Sequence, residues 1–198
     1  MVPPEIALQS RYLEPPARGD DAPPAHLSGV FQQIYASLRP SSLLVAPLAT
    51  ARLVALVDPG VTRRVVGIDS DMEKVALARQ RYRQMGSILE LYCADALGAR
   101  LQPAADFDLV FLSPPLDRLE AAPLAVAVAG WIARGGTCAV VSRLAGDGEA
   151  APLRLAGRPD LADLLSAREL RRAGSWETRS QGSGRMRVSL WRAAAGPK

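Results

Sequence analysis

The chain has 198 residues, 48% of which are hydrophobic, and a formal net charge of +4. A chain of this length and composition can bury one sizeable core, and the length argues against two domains. No apolar run approaches the roughly 20 residues that a membrane-spanning helix needs, and the chain does not begin with a basic segment followed by a hydrophobic one, so we expect a cytoplasmic protein with no membrane contact.

Residues 1–27 contain three proline pairs. Because proline lacks an amide hydrogen and restricts the residue before it, this segment is predicted to be an extended arm that packs on the domain or on a partner. His26 is the only histidine, and no acidic residue or cysteine adjoins it, so no metal site is predicted. A single α/β domain, residues 28–194, begins with a helix that Ser28 is predicted to cap and that ends at Leu38.

Two predicted strands end in carboxylates. The run Val65–Asp69 predicts a strand with an acid at its tip, and helical periodicity follows at once. A second short strand, Leu89–Cys93, is followed by Ala94 and Asp95. Ligands of open α/β sheets bind at the carboxyl ends of the strands, where a carboxylate can hold the vicinal hydroxyls of a ribose. The apolar face predicted for the helix comprises Val75, Ala76, Ala78, Tyr82 and Met85.

The later segments alternate between predicted helices and strands. Phe107–Leu112 is apolar except for Asp108, which is typical of a central parallel strand. Cys93 and Cys138 fall inside predicted strands, and we expect both to be core residues rather than disulfide or zinc ligands. The other predicted elements are strand Leu43–Ala46, helix Ala51–Val57, helix Asp117–Ala133, a turn at residues 134–136, strand Thr137–Val141, a final helix over Leu161–Leu165 and Ala167–Leu170, and a hairpin of Trp176–Arg179 and Met186–Trp191.

Three segments resemble the motifs of one enzyme family. GIDSDMEKVALARQR (67–81) resembles the second motif of class I S-adenosylmethionine-dependent methyltransferases, and ADAL (94–97) followed by FDLVFLSPP (107–115) resembles their third and fourth. The resemblance covers roughly residues 43–143. It implies an α/β fold, a three-layer αβα sandwich around a seven-stranded, mostly parallel sheet with one antiparallel strand near its edge. It also implies S-adenosylmethionine as the cofactor.

The resemblance further implies roles for residues at the two acidic strand ends. Asp69, with Ser70 beside it, would hold the ribose hydroxyls, and Asp95, with Ala96, would flank the adenine. The alternative for Asp69 is a helix cap, although Asp71 is the more favourable N-cap for the helix that follows.

The turn after the first strand departs from the family's pattern. In that family the turn is glycine-rich and follows an acid, whose position Val45 occupies here. The three glycine positions hold Pro47, Ala49 and Ala51. Proline has no amide to donate, and alanine resists the left-handed backbone that glycine allows, so the pocket is predicted to be altered but not filled. The predicted cofactor contacts at this turn are Ala46, Pro47 and Thr50.

The sequence Ser-Pro-Pro-Leu that follows Phe107–Leu112 resembles the Asn/Asp-Pro-Pro-aromatic motif with which amino-methyltransferases hold the nitrogen to be methylated. Ser113 can accept a hydrogen bond but has no charge, and Leu116 offers no aromatic face. The resemblance implies that Ser113 and Pro114 lie near the acceptor nitrogen. The alternative is a rigid turn that leaves a buried strand.

The C-terminal stretch from residue 168 is rich in arginine, and its only acids are Glu169 and Glu177. A basic face of this kind can bind RNA or DNA, and the alternative is a solvated arginine-rich surface. A protein partner for the proline-rich arm is a further expectation.

Three functions remain open at this stage. The first is an S-adenosylmethionine-dependent methyltransferase that acts on a nitrogen of RNA, DNA or protein. The second is a catalytically degenerate relative that serves as a binding or assembly subunit, because four motif positions have changed together. The third is a nicotianamine synthase-like aminocarboxypropyl transferase, because the Pro-Leu-Ala-Thr segment (47–50) resembles the Pro-Leu-rich turn of that family.

Overall fold

The computed structural model describes residues 25–48, 51–94, 106–113, 120–144, 161–180 and 184–195. Several predictions concern residues outside these segments, and they stay predictions. They are the proline-rich arm as far as residue 24, the side chain of His26, and Thr50, Asp95, Ala96, Pro114 and Leu116.

Helices and strands follow one another along the described chain broadly as the sequence predicts. None of the described helices is both long and apolar enough to cross a lipid bilayer. In chain order the elements are α1 (Ala25–Leu38), β1 (Ser42–Ala46), a first 3-10 helix (Ala51–Leu56), β2 (Arg64–Asp69), α2 (Met72–Arg81), a second 3-10 helix (Arg83–Ile88), β3 (Leu89–Cys93), β4 (Phe107–Leu112), α3 (Ala121–Trp131), β5 (Ile132–Leu144), α4 (Leu161–Ser166), β6 (Arg171–Ser180) and β7 (Gly184–Arg192).

The strands form one seven-stranded sheet in the order β3-β2-β1-β4-β5-β7-β6. Neighbours among β1 to β5 are parallel, and β7 runs antiparallel to both β5 and β6. Within the described sheet β7 is therefore the antiparallel strand near the edge, and the predicted fold class is confirmed. After β3 the chain crosses back to place β4 on the other side of β1. Open α/β sheets bind ligands at such a reversal, at the carboxyl ends of the strands.

Helices cover both faces of the sheet and so produce three layers. α1, the first 3-10 helix and α2 pack on one face, and α3 and α4 pack on the other. Side chains alternate between the faces, so Val45 of β1 contacts the α1 side and Leu44 contacts the α3 side. Near the carboxyl end of β4, Phe111 packs edge-on against Phe31 of α1, with ring centroids 5.1 Å apart.

The first two helical segments differ from their predictions. Ser28 lies inside α1 and does not cap it, because the helix begins at Ala25. Leu27 is 3% exposed and joins the core beneath α1, so the burial of this side chain extends the helix past the local capping signal. The segment Ala51–Leu56 is a 3-10 helix rather than an α-helix. A 3-10 helix rises about 2.0 Å per residue and so returns the chain to the amino end of the sheet in few residues.

The boundary between α3 and β5 also lies earlier than predicted. α3 ends at Trp131 and β5 begins at Ile132, so the predicted turn at residues 134–136 is an irregularity within β5. Gly135 has a φ of +75°, and a Cβ atom at Gly136 would lie 2.7 Å from the carbonyl oxygen of Phe107. Glycine is required at both positions, because Gly135 has a left-handed backbone and Gly136 makes a close contact with the backbone of β4.

Three further predictions need correction: the end of the final helix, the start of β6 and the buried face of α2. The final helix ends at Ser166, and Glu169, with a φ of +64°, lies outside it. β6 begins at Arg171 rather than at Trp176, because β7 pairs with β6 over its whole length. On α2, Ala76 is exposed although it was predicted to be buried, because the buried face is the narrower stripe that contacts β2 and β3.

Asp108 interrupts the apolar run of β4 for a structural reason. Its Oδ2 atom accepts hydrogen bonds from Ser41 N at 2.9 Å, Ser41 Oγ at 2.6 Å and Ser42 N at 3.1 Å. Partial burial raises the pKa of Asp108, but the bonds from the two serines lower it, and the net pKa lies below its usual value. The carboxylate therefore joins β1 to β4 at the amino edge of the sheet, away from the edge where ligands are expected.

Candidate functional site

The candidate site is the carboxyl edge of the sheet, where β1, β2, β3 and β4 end side by side. Backbone hydrogen bonds beyond the strands hold these ends together. Leu48 N donates to Ile68 O at 2.6 Å, Ala94 N donates to Asp69 O at 3.0 Å, and Ser113 N donates to Ala46 O at 3.2 Å. The structure therefore places five of the predicted site residues along one edge: Ala46, Pro47, Asp69, Ser70 and Ser113.

Asp69 is the most informative residue of the site. It is 5% exposed at the end of β2. Its Oδ1 atom accepts a hydrogen bond from Asp71 N at 2.9 Å, whereas its Oδ2 atom is buried and has no hydrogen-bond partner. A buried carboxylate oxygen without a donor is costly, so this oxygen is suited to accept a hydrogen bond from a bound ligand or from a water molecule.

The helix after Asp69 is capped by a different residue. Asp71 is the N-cap of α2, and its Oδ1 atom accepts hydrogen bonds from Glu73 N at 3.0 Å and Lys74 N at 3.3 Å. Hydrogen bonds from Lys74, first from its backbone and then from its side chain, hold the pKa of Asp71 below its usual value. The prediction that Asp71 caps the helix is confirmed, so capping does not account for Asp69.

The turn after β1 is filled by a residue that the sequence analysis did not single out. Leu48 is 1% exposed and packs with Val54, Val75 and other apolar side chains between β2 and α2. A Cβ atom at Gly67 would lie 2.6 Å from Leu48 Cδ1 and 2.7 Å from Leu91 Cδ2, so glycine at this position makes room for Leu48. The sequence held one signal of this packing: an apolar residue, Leu48, in the predicted turn, and a glycine, Gly67, in the strand that follows.

This packing removes backbone donors from the turn. Pro47 has no amide hydrogen, and the amide of Leu48 is bonded to Ile68 O. A ligand at this edge therefore cannot use the amides of residues 47 and 48.

Ser113 links the ends of β1 and β4. It is fully buried, and its hydroxyl donates to Pro47 O at 3.4 Å while its amide donates to Ala46 O. The oxygen keeps its lone pairs as acceptors. The side chain thus holds the turn after β1, and its complete burial leaves the remaining lone pair covered by protein.

The two cysteines have opposite environments, so the prediction of a core position is confirmed for Cys138 and wrong for Cys93. Cys138 is buried in β5, and burial raises the pKa of its thiol. Cys93 is exposed, because it ends the edge strand β3. Its Cα pairs with that of Asp69, and its thiol donates to Ser70 O at 3.8 Å. Cys93 therefore lies at the rim of the candidate site.

A second unpartnered polar atom lies near this edge. Arg52 Nη2 is buried without a hydrogen-bond partner, and Arg52 is in the first 3-10 helix, directly after the turn. No sequence pattern marks this nitrogen, because only folding buries it. Among the described residues, no group of three or more His, Cys, Asp or Glu side chains is arranged to hold a metal ion.

Comparisons by sequence identify no relative of the chain. No protein-family model matches it, and no curated protein matches it.

Comparisons of structure identify many similar folds. The N-methyltransferase NodS from Bradyrhizobium japonicum WM9, in complex with S-adenosyl-L-homocysteine, is 19% identical with a TM-score of 0.66, over 95% of this chain and 97% of NodS. The [4+2]-cyclase SpnF is 14% identical with a TM-score of 0.69, over 90% of this chain and 86% of SpnF. An S-adenosylmethionine-dependent methyltransferase from Clostridium acetobutylicum ATCC 824 is 11% identical with a TM-score of 0.65, over 88% of this chain and 94% of the methyltransferase. At these identities the likeness shows a shared fold.

Proposed function

We propose that the chain is an S-adenosylmethionine-dependent methyltransferase whose cofactor site is the carboxyl edge of β1 to β4. The observation that carries this proposal is the buried, unpartnered Oδ2 atom of Asp69 at the end of β2. This oxygen fits a ribose, because the vicinal hydroxyls of a ribose are donors that a carboxylate accepts. The NodS complex and the Clostridium methyltransferase support the same cofactor and enzyme class by their names.

In this proposal the residues of the chain mainly bind and align. The cofactor's sulfonium supplies a methyl group that is already reactive, so the protein needs no elaborate set of acids and bases. Asp69 binds the ribose, and Ser113 positions the end of β4 through its bond to Pro47 O. The preference for a nitrogen acceptor rests on the resemblance of the Ser-Pro-Pro segment. Ser113 is fully buried, so it would have to become accessible before it could accept a hydrogen bond from the acceptor's N–H.

A binding subunit without activity is the second candidate, and one observation favours it. The amides that a glycine-rich turn would offer are missing at Pro47 and engaged at Leu48. The third candidate, an aminocarboxypropyl transferase, uses the same cofactor and differs in its product. Methyl transfer leaves S-adenosylhomocysteine, whereas transfer of the aminocarboxypropyl group leaves methylthioadenosine, so mass spectrometry of the turnover products separates the two.

The decisive experiment is calorimetric titration of the purified chain with S-adenosylhomocysteine, combined with alkylation of the cysteines. We expect micromolar affinity, about −8 kcal/mol. We also expect bound ligand to slow the alkylation of Cys93 by iodoacetamide several-fold, because this thiol lies beside Asp69. Cys138 is an internal control, since burial keeps it unreactive with and without ligand.

Two results would contradict the proposal. One is the absence of heat and of thermal stabilisation at millimolar ligand, which would favour the binding subunit. The other is binding that leaves the alkylation rate of Cys93 unchanged, which would show that the ligand binds away from the end of β3.

We further propose that the acceptor is a nucleic acid, contacted through its phosphates by a basic surface on β5, β6 and β7. Alternation along β7 buries Met186 and Val188 on the α1 side and leaves Arg185 and Arg187 exposed on the other. We call the exposed side the arginine face. It comprises Ser142, Leu144, Ser175, Glu177, Arg185, Arg187 and Ser189.

The arginine face has the charge that a polyanion requires. Glu177 is its only acid and accepts hydrogen bonds from Arg185 Nη2 at 2.6 Å and Arg187 Nη2 at 3.1 Å. The described side chains of this face thus carry two guanidiniums and one carboxylate. Ser175 Oγ and Ser189 Oγ, 3.3 Å apart, add hydroxyl groups of the kind that contact phosphates. No aromatic side chain is among these residues, which favours contact with the backbone of a duplex over stacking with single-stranded bases.

The strand register places the arginine face beside the candidate site. Leu112, the last residue of β4, is level with Val140 of β5. β5 continues past this level, where its residues pair with Arg187 and Arg185 of β7. Only β5 lies between β4 and β7, so a duplex on the arginines would lie about 10 Å from Ser113.

The acceptor proposal predicts opposite effects from two changes in one cluster. Replacing Arg185 and Arg187 by alanine should lower the affinity for a short duplex and reduce the slope of log affinity against log salt by about 2. Replacing Glu177 by glutamine should raise the affinity, because the competing carboxylate is lost. Fluorescence anisotropy with RNA and DNA duplexes measures both affinities.

The control is the double alanine variant of the exposed Arg63 and Arg83. An equal loss of affinity in that variant would show that the loss comes from the lower net charge and not from the arginine face.

A further inference from the structure

Two side-chain atoms in the described part of the chain are buried without a hydrogen-bond partner: Asp69 Oδ2 and Arg52 Nη2. The proposed function uses only the first. A buried guanidinium nitrogen without an acceptor is as unfavourable as a buried carboxylate oxygen without a donor. Arg52 therefore indicates an acceptor group, most favourably an anion, that binds beside it.

Arg52 lies at the same edge of the sheet as Asp69. It is the second residue of the first 3-10 helix, which leads from the end of β1 to the start of β2. Because β1 and β2 are parallel, this helix begins at the carboxyl edge and ends at the amino edge. Arg52 thus follows directly on the turn that contains Pro47.

The described structure offers Arg52 no carboxylate of its own. Neither described acid at the ends of the neighbouring elements bonds to it: Asp69 accepts from the amide of Asp71 through Oδ1 only, and Asp71 pairs with Lys74. The next residues of the helix, Leu53 and Val54, are apolar and buried. Arg52 as a whole is half-buried, and Nη2 is the atom that neither water nor an acceptor reaches.

We propose that Arg52 binds the carboxylate of the cofactor's amino-acid moiety and takes the place of the backbone donors that the turn after β1 lacks. This inference rests on the proposed function. A guanidinium offers N–H donors in a planar fork that matches a carboxylate. Asp69 and Arg52 then form two ends of one site, with the acid on the hydroxyls of the nucleoside and the base on the carboxylate.

The test compares two ligands on the full chain. S-adenosylhomocysteine carries the amino-acid carboxylate and ammonium groups, and 5′-methylthioadenosine has the same adenosine and a thioether but neither group; a cationic guanidinium can bind only the carboxylate of the two. We expect the unmodified chain to bind S-adenosylhomocysteine at least tenfold more tightly. In the Arg52→Gln variant that preference should disappear, with the affinity for methylthioadenosine unchanged within about twofold. Arg52→Lys should keep part of the preference, and Arg63→Gln, a change at an exposed arginine, should keep all of it.

Each other outcome overturns the inference in a distinguishable way. Equal affinities of the unmodified chain for the two ligands would exclude a carboxylate subsite, and this result needs no variant to fold. A parallel loss of both ligands in Arg52→Gln would indicate a structural role. An unchanged preference in that variant would exclude Arg52 while leaving the proposed function standing. Failure of the unmodified chain to bind either ligand would remove the proposed function together with the inference.

Discussion

Replacing Asp69 by asparagine is expected to lower the affinity for S-adenosylhomocysteine by a factor of about 10 to 150. The amide keeps an oxygen for the bond that Asp71 N donates, and it replaces the unpartnered Oδ2 atom by an NH2 group. Hydrogen bonds to a charged group contribute about 1.5–3 kcal/mol, which corresponds to that range of affinity. Calorimetric titration measures the change directly.

The same variant is expected to be at least as stable as the unmodified chain without ligand. A buried carboxylate oxygen with no donor destabilises the fold, and the neutral amide reduces that cost. The thermal midpoint should therefore stay or rise while ligand-induced stabilisation shrinks. Asp106→Asn is the matched control, because Asp106 is exposed at the start of β4 on the opposite edge of the sheet. A lower midpoint with unchanged affinity would show that Asp69 is a structural residue.

Replacing Leu48 by alanine is expected to lower the free energy of unfolding by about 3 kcal/mol. Leu48 is 1% exposed and fills the space over Gly67 and against Leu91. Its truncation would leave a cavity between β2 and α2, and buried leucine-to-alanine changes cost about 2–5 kcal/mol. Urea denaturation followed by circular dichroism measures the loss.

Leu56→Ala is the control for Leu48→Ala. Leu56 is in the adjacent 3-10 helix but is only partly buried, so its truncation should cost less than half as much. Equal costs for the two variants would mean that Leu48 is not the main support of the turn.

Some features of the site depend only on neighbouring residues in the sequence, and others depend on how the helices and strands pack. Asp71 was identified as a helix cap from its place before α2, and the structure agrees, because capping involves only neighbouring residues. The strand that ends at Asp69 was equally predictable from its run of β-formers. The missing donor for Asp69 Oδ2 was not, since it depends on every group that surrounds the end of β2.

Several features depended on which elements became neighbours. Cys93 and Cys138 both lie in apolar strands, yet only Cys138 is buried, because β5 is central and β3 is at the edge. Leu27 carried the start of α1 past the capping signal at Ser28 through its contact with the core.

By itself the sequence determined the fold class, the strands β1 to β4 and the acid at the end of β2, because periodicity and β-propensity act along the chain. Only the tertiary structure decided that Leu48 fills the turn where the resemblance expects glycines, and that the Nη2 atom of Arg52 is buried without an acceptor. Both residues lie in one short segment, and their roles come from partners in β2, β3 and α2 that are distant in sequence. No local pattern encodes such contacts, because burial depends on the whole arrangement of strands and helices around the site.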